Sequence, residues 1–279
     1  GNFIPKVVEL IKNGTDIEKR SAIGFFGYKC PPEWALPQTK LIGSVLQDTK
    51  ENPKVRSDAA YAICWHGKDA YPYYQDMLKL VVADEPDDAF GLVDKAVGKS
   101  LNILAPDPFA AGLVKDKELF YKAALKLADN PRQDARSNGL QMLRSIPKKD
   151  FSIVADKVKH VIQNNDPSYH SYHNPMSSVQ SGALILAELD IKEGLEWSWE
   201  LFVEPGGKAG FKARFILGVM TAYGPSAKPY LEKINADPNL TRSLAQGRFK
   251  GMYDKMVKAV EGGKPEKLIP FEEAKKAAK

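Results

Sequence analysis

The sequence is poor in the features that mark a disulfide-stabilised domain or a membrane protein. It holds only two cysteines, Cys30 and Cys64, among 279 residues, too few for a disulfide framework. We expect both as buried thiols, although the sequence leaves their pairing open. No run approaches the roughly 18 uninterrupted apolar residues of a membrane-spanning helix, so no span is predicted.

Signatures of catalysis and of bound cofactors are also missing. The chain contains no His-Glu-x2-His, Gly-x-Ser-x-Gly, Gly-x-Gly-x2-Gly or Cys-x2-Cys motif. The Gly-Gly-Lys within residues 205–210 lacks the spacing that wraps phosphates, and we interpret it as a connector between helices. We therefore predict no catalytic residue, no cofactor and no metal.

The net charge of +5 is concentrated towards the C-terminal end. Residues 241–279 hold ten basic and five acidic residues, which leaves thirty of each in the first 240. A nucleic-acid groove normally carries a concentrated basic face. A neutral body has such a face only if its charges are segregated, so the charge distribution argues against nucleic acid as the partner.

The chain begins Gly1-Asn2-Phe3 and not with methionine. We interpret this as an excised or tag-derived start, from which any signal peptide would be missing. The compartment therefore stays open, and we expect the chain to be one domain of a longer protein.

Helical periodicity dominates the sequence. In 55–81, apolar residues mark one helical face in the run 55–63 and recur at i, i+3, i+4 and i+7 in the run 74–81. Gly67 and Pro72 lie between the two runs, which predicts a helix, a tight turn and a second helix. The alanines at positions 59, 60 and 62 would let a neighbouring helix approach to the short end of the usual ~8–10 Å separation.

The same pattern returns along the chain. The turn GPSAKPYL (224–231) matches GKDAYPYY (67–74) in its Gly, Ala, Pro and Tyr. Arginines stand at helix starts at positions 20, 56, 136 and 214, and the segments 95–104 and 178–189 fill the longer gaps. A period of about 40 residues with two helices per unit indicates an α-solenoid, in which each pair packs on its sequence neighbours.

The stretch VRSDAAYAICWHGKDA, residues 55–70, resembles a HEAT-like repeat of the phycobilisome-lyase type. That family's pattern is filled by Val55, Arg56, Ala59, Ala60, Ala62, Ile63, Gly67, Asp69 and Ala70. The other copies are degenerate, and the copy at 178–189 has no arginine. Together the copies cover about residues 4–236. The resemblance implies a fold and a habit of binding proteins, but no single activity, since HEAT-like arrays also occur in lyases and DNA glycosylases.

The predicted fold class is therefore all-α: an α-α superhelix, a HEAT-like or armadillo-type solenoid, of about six or seven helical hairpins. We expect one helical repeat domain over residues 1–261 and a Gly/Pro-broken C-terminal tail over 262–279, with a short helix from Phe271. The hairpins are predicted near residues 4–28, 35–66, 71–104, 115–146, 150–189, 193–223 and 226–260.

Two stretches carry the candidate binding residues. The turn after the first alanine-rich helix concentrates aromatic side chains, and there we predict contacts to a partner from Trp65, Tyr73 and Gln75. We interpret His66 in this turn as a packed, hydrogen-bonded histidine. The polar loop 164–177 holds the other candidates, which are His170, Tyr172 and His173. A metal site there would need further ligands from elsewhere, and a solvated loop is the alternative.

The predicted function is a protein–protein interaction or scaffold module. On this hypothesis the second helices line a concave face, and a protein or peptide contacts the exposed faces of 36–50, 71–84, 115–129 and 150–164. One alternative is a helical-repeat enzyme or nucleic-acid-binding protein, glycosylase-like or lyase-like, with a cleft lined by Trp65, Trp197 or Trp199. Another is a carbohydrate-binding accessory domain of a larger secreted protein.

Overall fold

Helices form almost all of the regular structure in the computed structural model, which describes residues 3–83, 91–163, 177–205 and 209–277. Within those ranges the only β-type pairing is an isolated parallel bridge between Ile191 and Ile269. The predicted all-α fold class is confirmed. No helix in the described ranges combines the length and the apolar character needed to cross a bilayer.

The chain divides into two compact units, Gly1–Ser145 and Ile146–Lys279. The helices of the first unit are α1 (Ile4–Asn13), α2 (Asp16–Phe25), α3 (Pro32–Ala35), α4 (Thr39–Gln47), α5 (Pro53–Ile63), α6 (Tyr74–Val82), α7 (Leu92–Leu104), α8 (Lys117–Ala128) and α9 (Gln133–Met142). Those of the second unit are α10 (Phe151–Gln163), α11 (Ser177–Glu188), α12 (Glu193–Val203), α13 (Ala209–Tyr223), α14 (Lys228–Ala236), α15 (Pro238–Ala245), α16 (Lys250–Glu261) and α17 (Phe271–Ala277).

Consecutive helices pair as the repeat pattern predicts. In the first unit α1 packs on α2, α4 on α5, α6 on α7 and α8 on α9. The series α2, α5, α7 and α9 forms one row of packed neighbours, and α4, α6 and α8 form another. In the second unit α10 packs on α11, α12 on α13, and α11 on α13. Within each unit, a pair thus buries its apolar face on the next pair. The superhelix across the whole chain stays a prediction.

The last predicted hairpin, 226–260, is three helices, α14 to α16. The division comes from Asp237, whose side chain accepts hydrogen bonds from the backbone N–H groups of Asn239 and Leu240. Pro238 follows at the first helical position, where a missing N–H costs nothing. An Asp-Pro pair therefore starts a new helix within what periodicity alone predicts as one hairpin.

Small residues set the close approach of the paired helices. The three alanines of α5, Ala59, Ala60 and Ala62, are buried, as the approach argument predicts. Gly139 of α9 is packed more tightly still, because a methyl group there would lie 2.5 Å from the backbone nitrogen of Ala128 in α8.

The arginines of the repeat pattern have different environments. Arg56 is buried and donates to the Leu46 carbonyl at 2.9 Å. Arg136 is also buried and donates to the Asn130 and Pro131 carbonyls, at 2.9 and 2.8 Å. Both therefore satisfy carbonyl groups at or just beyond the end of the preceding helix. Two further arginines remain exposed, namely Arg20, paired with Asp58 at 2.6 Å, and Arg214.

The segment expected as a tail, described as far as residue 277, is anchored within the second unit at Ile269 and Phe271. Phe271 is 2 % exposed, and its ring centroid lies 5.4 Å from the rings of both Phe151 and Trp197. The Ile269 N–H donates to the Asp190 carbonyl at 2.7 Å. The helix predicted from Phe271 is confirmed as α17. Burial of one aromatic ring thus fixes a segment whose Gly/Pro composition indicates only a loose end.

Candidate functional site

The first unit carries a group of large apolar side chains that stay exposed, which we call the aromatic surface. They come from the start of α1, the end of α2, the loop and short helix that follow, and the turn after α5. Each is between 36% and 61% exposed: Phe3, Phe25, Tyr28, Trp34, Leu36 and Trp65. Single exposed apolar residues are normal in any protein, but a cluster of them marks an interaction site.

The rings of the aromatic surface pack on one another. Phe3 makes edge-to-face contacts with Phe25 and Trp34, with centroid separations of 5.4 and 5.6 Å. The Tyr28 ring lies on Trp65, with centroids 4.5 Å apart. Such contacts are worth about 0.5–1.5 kcal/mol each beyond burial. They hold the rings in place although each ring keeps a face towards solvent.

A cavity of about 360 Å³ opens within this surface. Its volume lies at the lower end of the range of small-ligand sites and suits one or two large side chains. Its walls are mostly apolar and are formed by Gly27, Tyr28, Lys29, Cys30, Pro32, Ala35, Leu36, Trp65, His66 and Gly67.

His66 is buried beside this cavity, with both ring nitrogens hydrogen-bonded. Nε2 lies 2.8 Å from the Phe26 carbonyl, and Nδ1 lies 2.7 Å from the Thr39 hydroxyl. A carbonyl only accepts, so Nε2 carries the proton, and Nδ1 of the neutral ring shares the single Thr39 hydroxyl proton with the Leu36 carbonyl, which lies 2.9 Å from that hydroxyl. Burial lowers the pKa of His66, against the opposing effects of the Phe26 carbonyl and the Asp69 charge. The prediction of a packed, hydrogen-bonded histidine is confirmed.

The turn that presents Tyr28 has a strained backbone. The Cys30 N–H donates to the Gly27 carbonyl at 3.1 Å, which closes a tight turn over residues 27–30. Lys29 at its third position has φ of 79°, where glycine or asparagine is preferred. An ordinary residue in the left-handed region costs roughly 1–2 kcal/mol. The molecule therefore retains a strained residue next to an exposed tyrosine.

The two cysteines are free thiols. Cys64 is buried, its thiol donates to the Tyr61 carbonyl at 3.1 Å, and burial raises its pKa to about 12. Cys30 is half-buried in the cavity wall, and desolvation together with the Glu33 charge raises its pKa. Both thiols are thus protonated at neutral pH, so neither is set up as a nucleophile.

Of the three predicted binding residues that the structure describes, Trp65 alone lies on the aromatic surface. The half-buried ring of Tyr73 fills the space over Gly43, where a methyl group would overlap it. The Gln75 side-chain amide donates to the Leu113 carbonyl at 2.6 Å. A binding role for these two stays a prediction. The other three predicted residues, His170, Tyr172 and His173, lie outside the described residues.

The two tryptophans that the enzyme hypothesis placed in a cleft are half-buried in the second unit. Trp197 packs on Phe271, and Trp199 packs on Tyr230 with a centroid separation of 5.2 Å. Across the described ranges, no group of three or more His, Cys, Asp or Glu side chains is arranged to hold a metal ion.

Sequence reasoning missed five of the six members of the aromatic surface. Four of the five lie in two short stretches, FFGY (25–28) and PPEWALP (31–37), and Phe3 precedes α1. Phe26 in the first stretch is fully buried whereas Phe25 and Tyr28 are exposed, so the composition of these stretches signals an aromatic cluster but not which ring faces solvent.

Comparison with known proteins gives no assignment for the chain: no family model matches it, and no curated protein is significantly similar to it.

Proposed function

We propose that the first unit is a polypeptide-binding module and that the aromatic surface is its contact area. The observation that supports this best is the set of six exposed apolar side chains, three of which, Tyr28, Leu36 and Trp65, line a cavity of about 360 Å³. The chain as a whole is then a HEAT-like interaction or scaffold module, as its repeat pattern suggests.

A partner that covers these rings gains hydrophobic free energy. An aromatic side chain buries roughly 150–250 Å² when fully covered. Trp34 and Trp65 are exposed by about two-fifths of their surface, so covering either contributes about 2 kcal/mol at ~25 cal/mol per Å². Exposed tryptophan and tyrosine next to a cavity are typical of residues that dominate binding free energy.

The aromatic surface is also arranged before any partner arrives. Tyr28 and Trp65 hold each other by ring contact, and the hydrogen bond between His66 and Phe26 fixes the chain next to both. Little conformational entropy is therefore lost when a partner orders these side chains.

The chemistry of the cavity favours a polypeptide over a sugar, a nucleic acid or a reacting substrate. Recognition of sugar hydroxyls needs several placed donors and acceptors, but His66 already uses both ring nitrogens and the other walls are mainly apolar. A nucleic-acid strand needs a row of basic groups, and Lys29 is the one lysine in the lining. The Cys30 thiol, with its raised pKa, does not favour covalent chemistry.

Lys29 places a positive charge at the rim of the cavity, which favours a partner with a negative charge there. Its side chain has no carboxylate partner among the described residues, and its ammonium lies 5.9 Å from the Tyr28 ring centroid. The partner we propose is therefore a polypeptide segment with a large apolar side chain that enters the cavity and an acidic residue close to it. The acidic residue pairs with Lys29 at the rim and adds orientation more than affinity.

Selection of displayed random peptides on the full chain, followed by fluorescence anisotropy with single synthetic peptides, tests this proposal. We expect the selected peptides to share a large apolar residue with an acidic neighbour. The variant Tyr28→Ala/Trp65→Ala should bind them at least tenfold more weakly. The variant Val203→Ala, which truncates a 53% exposed residue at the end of α12, should bind them within twofold of the unchanged chain.

Equal binding to the double variant would contradict the proposal, and so would a selection that yields no peptide above background. Circular dichroism of both variants shows that any loss of binding comes from the surface and not from unfolding.

A further inference from the structure

A second cavity, of about 420 Å³, lies within the second unit, and we call it the arginine pocket. It is bordered by the first part of α13 and by the turn that leads into α16, two helices that pack on each other. Its lining is formed by Gly210, Phe211, Arg214, Arg248, Phe249 and Met252. Two cationic side chains and three large apolar ones thus share one small-molecule-sized space.

The backbone around Arg248 is shaped to place its guanidinium in the pocket. Gly247 has φ of +58°, a conformation that other residues rarely adopt, and it begins the short turn that carries Arg248. On the opposite wall, Gly210 has no side chain, and a methyl group there would overlap the Arg248 guanidinium. The guanidinium carbon also lies 4.7 Å from the Phe249 ring centroid. Gly210 thus leaves room for this exposed cation, and the Phe249 ring contacts it.

Among the described residues, neither arginine of the pocket has a carboxylate partner, and the lining contains no acidic side chain. The acidic side chain near the turn, Asp254, is paired with Lys250 at 2.7 Å. Arg214 occupies the repeat position at which Arg56 and Arg136 are buried against carbonyl groups, yet it is exposed. Its charge is therefore not used to hold the fold.

Two cations that line one cavity repel each other, and an anion between them removes that cost. A guanidinium presents a planar fork of donors that matches the oxygens of a phosphate or a carboxylate. Phe211, Phe249 and Met252 offer apolar area beside that fork. The pocket therefore suits a ligand with a charged oxyanion head and an apolar body.

We propose that the arginine pocket binds a small molecule of this class, an oxyanion carried on an aromatic or similarly flat apolar group. Arg214 and Arg248 hold the oxyanion, and the Phe249 ring contacts the body. The site is independent of the aromatic surface, so each proposal stands or falls alone.

Isothermal titration calorimetry of the full chain tests the proposal with phenyl phosphate, benzoate, inorganic phosphate and neutral phenol. Phenyl phosphate should bind at least tenfold more tightly than inorganic phosphate or phenol. If benzoate binds as tightly as phenyl phosphate, the pocket accepts either a carboxylate or a phosphate head group. If benzoate binds more weakly, the pocket prefers phosphate. Either result supports the class.

The variants Arg214→Gln and Arg248→Gln should each weaken phenyl phosphate binding at least fivefold, and the double variant should show no heat of binding. Phe249→Leu should weaken phenyl phosphate binding but leave inorganic phosphate binding unchanged. The matched control is Arg242→Gln, which removes an exposed arginine of α15 outside the pocket and should bind within twofold. The proposal is overturned if phenyl phosphate does not bind at millimolar concentration, or if the double variant binds it as tightly as the unchanged chain does.

Discussion

His66 and Phe26 join two distant parts of the first unit. The imidazole Nε2 donates a hydrogen bond of 2.8 Å to the Phe26 carbonyl. Residues close to both partners, Trp65 and Tyr28, place their rings 4.5 Å apart. One buried hydrogen bond thus supports the most exposed ring contact of the aromatic surface. Its donor, the His66 imidazole, is titratable.

The stability of the first unit should fall as the pH is lowered below the ordinary histidine pKa of 6.5. Burial lowers the pKa of His66 in the folded chain, so the unfolded chain takes up the proton first. The contribution of neutral His66 is therefore complete above pH 6.5 and is lost progressively as the pH falls towards the lower, folded-state pKa.

Urea unfolding at pH 7.5 and at pH 5.5 measures this loss. The variant His66→Gln should be less stable at pH 7.5 by about 1–3 kcal/mol, since it disturbs buried hydrogen bonds. Its stability should also change less between the two pH values. An equal change in both chains would contradict the assignment.

Lys29→Gly should raise the free energy of unfolding by about 0.5–1 kcal/mol. The left-handed backbone at Lys29 costs an ordinary residue roughly 1–2 kcal/mol, and the greater freedom of glycine in the unfolded chain offsets part of that gain. The matched control is Lys68→Gly, an exposed lysine without a positive φ, which should lower stability. Equal losses in both variants, measured by chemical unfolding, would show that no strain is stored at Lys29.

Tyr74→Phe should leave stability unchanged or raise it by up to about 1 kcal/mol. The Tyr74 hydroxyl is buried without a hydrogen-bond partner among the described residues, and burial raises its pKa. The control is Tyr223→Phe, because the Tyr223 hydroxyl donates to the Ile191 carbonyl at 2.6 Å. Tyr223→Phe should lower the free energy of unfolding by about 1 kcal/mol. Thermal unfolding compares the two variants, and a greater destabilisation by Tyr74→Phe than by Tyr223→Phe would contradict the prediction.

Gly139→Ala should destabilise the chain by about 1–3 kcal/mol, because the added methyl group meets the backbone of α8 and the two helices must move apart. Gly251→Ala is the matched change, since a methyl group on that helical glycine meets nothing within 4 Å. It should stabilise the chain by up to about 1 kcal/mol. Differential scanning calorimetry compares the two, and the opposite order would contradict close packing of α8 and α9.

The helix pairs were predictable because their signals are local. The alanines of α5 and the turn around Gly67 lie within one short segment, and periodicity reports which side of each helix is buried. The break at Asp237 was missed because it depends on a side-chain cap, which apolar periodicity does not report. The docking of Phe271 was missed because the ring finds its partners far away along the chain.

The aromatic surface was predicted only at Trp65. Tyr28 reaches that ring through the unusual backbone of Lys29, which no sequence pattern signals. The remaining rings come together from separate segments, and their exposure results from tertiary packing. The arginine pocket was missed for a related reason: Arg214 matches the repeat position of two buried arginines, and only its surroundings distinguish it.

Hydrogen–deuterium exchange of the full chain, with and without a selected peptide, tests the proposed binding surface most directly. We predict slower exchange in residues 24–36 and 61–67 when the peptide is bound, and no such change in the variant Tyr28→Ala/Trp65→Ala. Protection in other segments of the chain, with none in these two, would contradict the account.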